Sequence, residues 1–384
     1  MSTPLTALIN GRVLTDHGPQ GGLAVLVRGD RIEAITRADD ARITRAKTHD
    51  LKGHLLLPGF IDVQVNGGGG VLFNAEPTVE ALATMGAAHR KYGTTGFLPT
   101  LITDTAEVMR KALDAVDAAI EQGVPGVLGI HLEGPFLATA RKGIHDAKLF
   151  RLPDADDIAA ITRNRRGVVM LTLAVEEVPM DTIRQLSEAG VIVVAGHTAA
   201  TYDITRAALD AGVTGFTHLY NAMTPLGSRE PGVVGAALDD PHSWCGLIVD
   251  GHHVHPVALR VAIAAKAKGK SVLVTDAMPP VGSDNPEYVL NGQTIVARDS
   301  VCQSDDGVLA GSALDMATGV RNLVEMVGLP LAEASRMASA YPAAWLGLDR
   351  THGRLVAGQH ADFAVLDDGL VVTETWISGV RYDT

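Results

Sequence analysis

The sequence predicts an α/β protein, a (β/α)8 TIM barrel that carries a small β-sandwich domain built from both chain termini. Three observations support this. From Leu57 onward, short runs rich in Val, Leu and Ile alternate with Ala-rich segments of helical spacing, the signature of repeated βαβ units. Eight such runs occur, the number that closes a barrel. Both ends of the chain instead alternate apolar and polar residues in short pieces separated by turn residues.

Taken in order, the first segment reads as strands in "ALINGRVLT", "LAVLVRGDRIEAIT" and "THDLKGHLLLPGF", with Arg28, Gly29 and Asp30 forming a turn inside the second. The far end, "GRLVAGQHADFAVLDDGLVVTETWISGVRY", has the same character. Residues 1–53 and 354–384 are therefore expected to pair into one small sandwich, and 54–353 to form the barrel. The barrel strands are expected in "LLPGFIDVQVN", "TTGFLPT", "GVLGIHLEG", "VVMLTLA", "VIVVAGHT", "TGFTHLYN", "CGLIVDGHH" and "SVLVTDA". Helical spacing marks "TVEALATMGAAHRKY", "AEVMRKALDAVDAAIEQ", "MDTIRQLSEA", "YDITRAALDA" and "PVALRVAIAAKAK" between them. Further helices are expected after the eighth strand, in "SALDMATGVRNLVEMVG" and "PLAEASRMASAYPAAWLG".

Composition sets the limits. A chain of 384 residues, 46% of them hydrophobic, buries a large core and exceeds the roughly 250 residues of a bare barrel. The net charge of -12 opposes broad contact with nucleic acid or an anionic membrane, so an anionic substrate must be held by local cations. Aromatic residues at 4% leave few platforms for stacking on single-stranded nucleic acid. Cys245 and Cys302 are too few for a disulfide framework and read as small buried hydrophobes. The start lacks a basic segment followed by an apolar one, and no uncharged apolar run reaches about 18 residues. A cytoplasmic protein is expected.

Active sites in this architecture lie at the C-terminal ends of the strands. Those ends carry Asp62, Gln64 and Asn66 after strand one, Thr100 after two, Glu133 after three, Glu176 after four and His197 after five. His218, Asn221, Asp250, His253 and Asp276 follow from strands six to eight. Glu133, His197 and His218 offer one carboxylate and two imidazoles, a donor set that takes a divalent metal and leaves a position open for water. Asp276 is then a spare carboxylate, available as a proton acceptor.

Ten motifs sharpen the reading: "PGFIDVQVNGGGG", "LPTLIT", "HLEGPFL", "KGIHD", "AGHT", "THLYNAM", "REPGVVGA", "DGHHV", "LVTDAM" and "GSALDM". In this order, over almost the whole chain, they closely resemble the N-acetylglucosamine-6-phosphate deacetylase family of the amidohydrolase superfamily. The resemblance implies hydrolysis of the acetamide of N-acetyl-D-glucosamine 6-phosphate to glucosamine 6-phosphate and acetate, in amino-sugar and cell-wall recycling. Many superfamily members carry a histidine pair after strand one and a modified lysine after strand four that together hold a second metal. This chain has Gln64 and Asn66 at the pair and Glu176 and Glu177 beyond "VVMLTLA". An amide carbonyl is a poor substitute for imidazole, so one divalent metal ion per subunit is expected, zinc first, with iron, manganese or cobalt also compatible with the donors.

A metal held by Glu133, His197 and His218 lowers the pKa of its water to roughly 7 and polarises the carbonyl, while Asp276 takes a proton from that water and returns one to the leaving amine. The resemblance implies that His145 supports the developing oxyanion. It also implies that Asn221, the backbone at Ala222 and His253 hold the phosphate, and that Arg229 reaches across the interface of a homodimer. His131 reads as a packing or hydrogen-bonding neighbour, His252 and His255 as outer residues beside His253, Asp62 as a buttress of strand one, and Gly67 to Gly70 as a turn without a Walker pattern. Two alternatives accompany this reading. One is a deacetylase for an epimer such as N-acetylgalactosamine 6-phosphate; the other is a catalytically silent assembly protein on the same barrel, whose mark would be loss of the metal ligands or of the acid/base carboxylate, and this chain retains all four.

Overall fold

The computed structural model describes residues 4–298, 301–304 and 307–383. Eight parallel strands form one sheet in sequential order: β1 (Phe60–Val65), β2 (Thr94–Ile102), β3 (Gly129–Glu133), β4 (Val168–Leu173), β5 (Ile192–Ala195), β6 (Gly215–Phe216), β7 (Trp244–Ile248) and β8 (Ser271–Val274). The ring closes between first and last strands just beyond β8, where Val65 bridges Ala277 in parallel and Asp276 donates its N–H to the Gln64 carbonyl at 3.0 Å. Eight predicted apolar runs thus become eight staves.

Alternation along each strand decides what fills the interior. Ile61, Val63, Leu98, Met170, Val194, Ile248, Val272 and Val274 point inward and form one cluster, closed at the N-terminal end by Ala343, Trp345 and Leu346. Gly215 makes room for that plug, because a Cβ there would lie 2.4 Å from Cζ2 of Trp345. The outward residues face a second, larger cluster shared with the helices. Above the apolar layers, polar residues begin. His131 of β3 sits between Thr100 and Thr172 at 3.3 and 2.7 Å, and Thr172 meets Thr217 at 2.6 Å. Burial pushes the His131 imidazole down to about 4, so it is a neutral part of the barrel wall.

The helices follow the predicted spacing, each after its strand: Val79–Arg90, Ala106–Glu121, Met180–Glu188, Tyr202–Asp210 and Pro256–Ala265. Thr78, Thr105 and Thr201 cap three of them by accepting from backbone N–H groups. Two further helices, Ala155–Thr162 and Gly232–Asp239, were not expected from the spacing. The first is short but opens on a reciprocal cap between Asp154 and Asp157. The second is mostly buried, so it lacks the polar face from which an amphipathic pattern is read.

Two departures concern strand-like regions. "LLPGFIDVQVN" divides at Gly59: Leu55–Pro58 pairs with Phe363–Leu366 from the far end of the chain, and β1 starts at Phe60. Between β8 and the helix Met316–Asn322, the chain forms a four-stranded antiparallel sheet of Glu287–Leu290, Gln293–Arg298, Val301–Gln303 and Leu309–Ser312. Its first turn, Asn291-Gly292, has both residues at positive φ, the usual hairpin signal. Cys302 and Tyr288 lie in its small core, and Cys245 is buried in the barrel cluster, so both cysteines behave as expected.

The remaining strands form two sheets. One has the order Arg31–Arg37, Leu23–Arg28, Leu5–Ile9, Lys47–Asp50, and the other Val380–Asp383, Val372–Ile377, Phe363–Leu366, Leu55–Pro58, Arg12–Thr15, Gly18–Gln20. Leu8, Val25, Val27 and Ile32 of the first pack against Leu56, Phe363, Val365 and Trp376 of the second. No helix among the described residues is long and apolar enough to cross a membrane.

Asp62 ties the barrel seam. Its buried carboxylate accepts from the Thr275 hydroxyl at 2.5 Å and from the N–H groups of Gln64 and Thr275 at 3.2 and 3.3 Å. Asp62→Ala strands those donors, and we predict a loss of about 2–3 kcal/mol in unfolding free energy. A urea midpoint equal to that of the parent would show that the seam does not depend on this residue.

Candidate metal centre and its cavity

At the C-terminal end of the barrel, the strand ends surround a cavity of about 500 Å³. Glu133 ends β3, while His197 and His218 stand two residues past the ends of β5 and β6. His197, His218 and Asp276 all have positive φ, of 48°, 31° and 55°. This left-handed conformation is costly for residues other than glycine, and here it turns each side chain from its strand into the cavity. Gly143, at φ 55°, lies close above His197: a Cβ there would be 3.3 Å from the ring.

The three candidate ligands converge. Nε2 of His197 and Nε2 of His218 lie 3.0 and 2.9 Å from Oε1 of Glu133, and 3.1 Å from each other. Nδ1 of His197 contacts the Arg141 carbonyl at 2.8 Å, and a carbonyl only accepts, so the ring proton is on Nδ1 and Nε2 offers a lone pair. An imidazole lone pair and a carboxylate oxygen facing a second imidazole nitrogen at this range repel unless a proton or a cation lies among them. The donor set therefore fits a divalent metal, and no other group of three such side chains among the described residues comes together in this way. Burial works against ionised Glu133, but contacts with the two histidines outweigh it and hold the carboxyl well below the usual carboxylate range.

Gln64 and Asn66, where a second metal would need imidazoles, do something else. Nε2 of Gln64 donates to Oε2 of Glu133 at 3.1 Å and to Oδ1 of Asp276 at 3.0 Å, and Nδ2 of Asn66 donates to the same Asp276 oxygen at 2.7 Å. The amides thus join two carboxylates with N–H groups. Enclosure by protein, and next the charge of Glu133, raise Asp276 to about 6, against the opposing effects of His218, His253 and Asn66. A carboxylate with that value exchanges protons near neutrality.

His145 and His253 face the cavity with the proton required on opposite ring nitrogens. Nδ1 of His145 accepts the backbone N–H of Thr103 at 3.3 Å and contacts its hydroxyl at 2.8 Å, so Nε2 carries the proton and is a donor, 4.0 Å from Oε1 of Glu133. Burial and then the charge of His197 push this imidazole down to about 3, so it remains neutral. Nδ1 of His253 instead meets Oδ2 of Asp250 at 2.6 Å and is protonated.

Asn221 and Ala222 line the cavity on the turn after β6. There His218, Tyr220 and Ala222 have positive φ, and the N–H groups of Leu219 and Asn221 donate to the carbonyls of Gly246 and His218 at 2.8 and 2.9 Å, which fixes the turn. Arg229 is not brought to the cavity: residues 225–230 are exposed, and Arg229 lies among them. The basic side chains that do line the cavity are Arg141 and Lys142, beside the histidine of "KGIHD". Their roles were not anticipated, nor were those of Thr103 and Asp250. Glu176, where the superfamily lysine would stand, accepts from the Thr198 hydroxyl and the Ala199 N–H, and so holds the turn that follows His197. His252 and His255 are exposed, and His255 caps the helix after β7.

Comparisons with known proteins agree with this geometry. The model of the amidohydrolase family matches residues 55–381. An N-acetylgalactosamine-6-phosphate deacetylase of Shewanella sp. (strain ANA-3) is 42% identical over 369 residues, 96% of this chain and 93% of its own length. An N-acetylglucosamine-6-phosphate deacetylase of Haemophilus influenzae is 37% identical over 380 residues, covering 97% and 98%. The crystal structure of N-acetylglucosamine-6-phosphate deacetylase from Pasteurella multocida superposes with a TM-score of 0.95 at 36% identity, over 99% of this chain and all of that one.

Because amides fill the second position, the purified protein is expected to hold one divalent ion per subunit. Elemental analysis that returned two would overturn that account of Gln64 and Asn66.

Proposed function

The chain belongs to the amidohydrolase family, and from that premise we propose that it hydrolyses the acetamide of N-acetyl-D-glucosamine 6-phosphate to D-glucosamine 6-phosphate and acetate. One observation carries the proposal: a carboxylate and two imidazoles converge beside a second buried carboxylate, Asp276, held by the amides of Gln64 and Asn66, in a cavity of sugar-phosphate size. A silent assembly protein has no use for that convergence.

Glu133, His197 and His218 would hold the metal, zinc being our first choice on its affinity for imidazole and carboxylate. Bound there, a divalent cation supplies Lewis acidity toward water and toward the amide carbonyl. The chain's own groups do the rest. Asp276, held by Gln64 and Asn66, accepts a proton from the attacking water and passes one to the departing amine. His145 donates Nε2–H to the carbonyl oxygen as it gains negative charge; because the ring is neutral and fixed by Thr103, the donor is in place before the reaction begins. Asn221, the Ala222 backbone and His253, which line the cavity, would take the phosphate, and Arg141 and Lys142 supply cations at its wall.

The 42% identity to an enzyme for the galacto epimer favours a second substrate, N-acetylgalactosamine 6-phosphate. Acetate release from both epimers and from plain N-acetylglucosamine tests the proposal. Turnover that is the same with and without the phosphate would sink it, and the ratio of kcat/KM between epimers assigns the sugar.

Asp276→Asn is expected to fold and keep its metal while losing roughly 10² to 10⁴ in rate. In the parent, the base must be ionised, so kcat/KM should fall as pH drops through about 6 or lower, the cation favouring the ionised form. Near-normal turnover by the variant, or an acid limb unchanged by it, removes Asp276 from this role.

We further propose a cytoplasmic homodimer in which Arg229 completes the partner's phosphate site. Leu226 is 55% exposed and packs beside Gly235 of the helix Gly232–Asp239. That helix contacts Pro256–Ala265, where Val257 and Val261 are each 51% exposed. This apolar surface next to the Arg229 loop is what a symmetric interface would cover. Arg229→Ala should raise KM for the phosphorylated substrate with little effect on plain sugar, and sedimentation as a monomer would exclude the arrangement.

A further inference from the structure

We infer that Asp250 is a positioning residue that turns His253 into a cation for the substrate phosphate; the inference deepens the proposed function and rests on its placing of phosphate in this cavity. The carboxylate of Asp250 is fully engaged. Oδ1 accepts the N–H groups of His252 and His253, each at 2.9 Å, and so shapes the turn after β7, while Oδ2 takes Nδ1–H of His253 at 2.6 Å. The side chain of Asp250 is 0% exposed and that of His253 5% exposed, so the pair cannot relax into solvent.

The consequence follows from proton counting. With Nδ1–H committed to Asp250, the neutral ring has only a lone pair at Nε2, the nitrogen on its other side. A phosphate oxygen is also an acceptor. The ring can therefore meet phosphate only by taking up a second proton, which leaves an imidazolium between two anions, each accepting one N–H. Without Asp250, the opposite tautomer is available, with Nε2–H donating from an uncharged ring. His145 shows what that looks like in the same cavity, where Thr103 donates to Nδ1.

Asp250→Asn isolates the effect, because its amide oxygen can still accept the two backbone N–H groups while its NH2 can only donate toward Nδ1. In the holoprotein, KM for N-acetylglucosamine 6-phosphate should rise about tenfold, the difference between a charged and a neutral hydrogen bond, and the loss in kcat/KM on plain N-acetylglucosamine should be smaller by a similar factor. The second readout does not use activity. In 15N-histidine-labelled holoprotein titrated with inorganic phosphate, both ring nitrogens of His253 should become protonated in the parent and only one in Asp250→Asn. Equal losses on plain and phosphorylated sugar, or a parent ring that stays singly protonated at saturating phosphate, would overturn the inference. If the parent binds phosphate with this signature but releases no acetate from any N-acetyl sugar, the proposed function fails and the role of Asp250 stands.

Discussion

Three metal-ligand atoms from three different strands face one another at about 3 Å, and the rest of the cavity is arranged around that convergence. Lone pairs at this distance repel, so a chain that brings Glu133, His197 and His218 together must be organised for something positive among them. The barrel supplies the geometry, because successive strands end on one rim and point at a common axis. It does not supply it without cost. His197 and His218 occupy the left-handed region, at of order 1–3 kcal/mol each, and a strained residue of this kind persists only where its surroundings over-determine it. Glu176 and the Arg141 carbonyl provide that constraint for His197.

A second level of order concerns which nitrogen of each ring holds the proton. Single neighbours decide it: a backbone N–H for His145, a backbone carbonyl for His197, a carboxylate for His253. The result is a donor, a metal-facing lone pair and a ring that can be charged, all within one cavity. Three residues of the same type therefore perform three tasks. The distinction is absent from the histidines and lies wholly in what stands behind them.

That explains what could be read in the sequence. Each barrel strand is a short apolar run ending in a polar residue, so the staves and Glu133, His197, His218 and Asp276 at their ends were legible from local pattern. Asp250 was legible only as a strand-end residue and Thr103 not at all, since their roles depend on the partner that folding brings to them around a turn or across 42 residues. Other features escaped because their patterns were weak. The helix Gly232–Asp239 is buried on most sides, and the helix Ala155–Thr162 is only eight residues long. The antiparallel sheet after β8 did announce itself, through Asn291-Gly292, in a stretch for which the sequence reading named no element. Arg229 is different again: a residue that acts in another subunit has no visible partner in its own.

The amides at Gln64 and Asn66 show why loss of one metal position need not damage the other. Glu133 and Asp276 are like charges in a buried place, and a second cation between them would be the direct way to relieve their repulsion. Gln64 places an N–H between them instead, and Asn66 adds another to Asp276. A hydrogen bond screens less than a full charge does. Burial first, and then the charge of Glu133, leave Asp276 with a raised affinity for protons that the Asn66 hydrogen bond only partly offsets. A base must take a proton and give it back within one cycle, and a carboxylate held too firmly in its ionised form does the first step poorly. The amides that forbid a second metal thus spare Asp276 a further neighbouring cation, which would hold it more firmly in the ionised form.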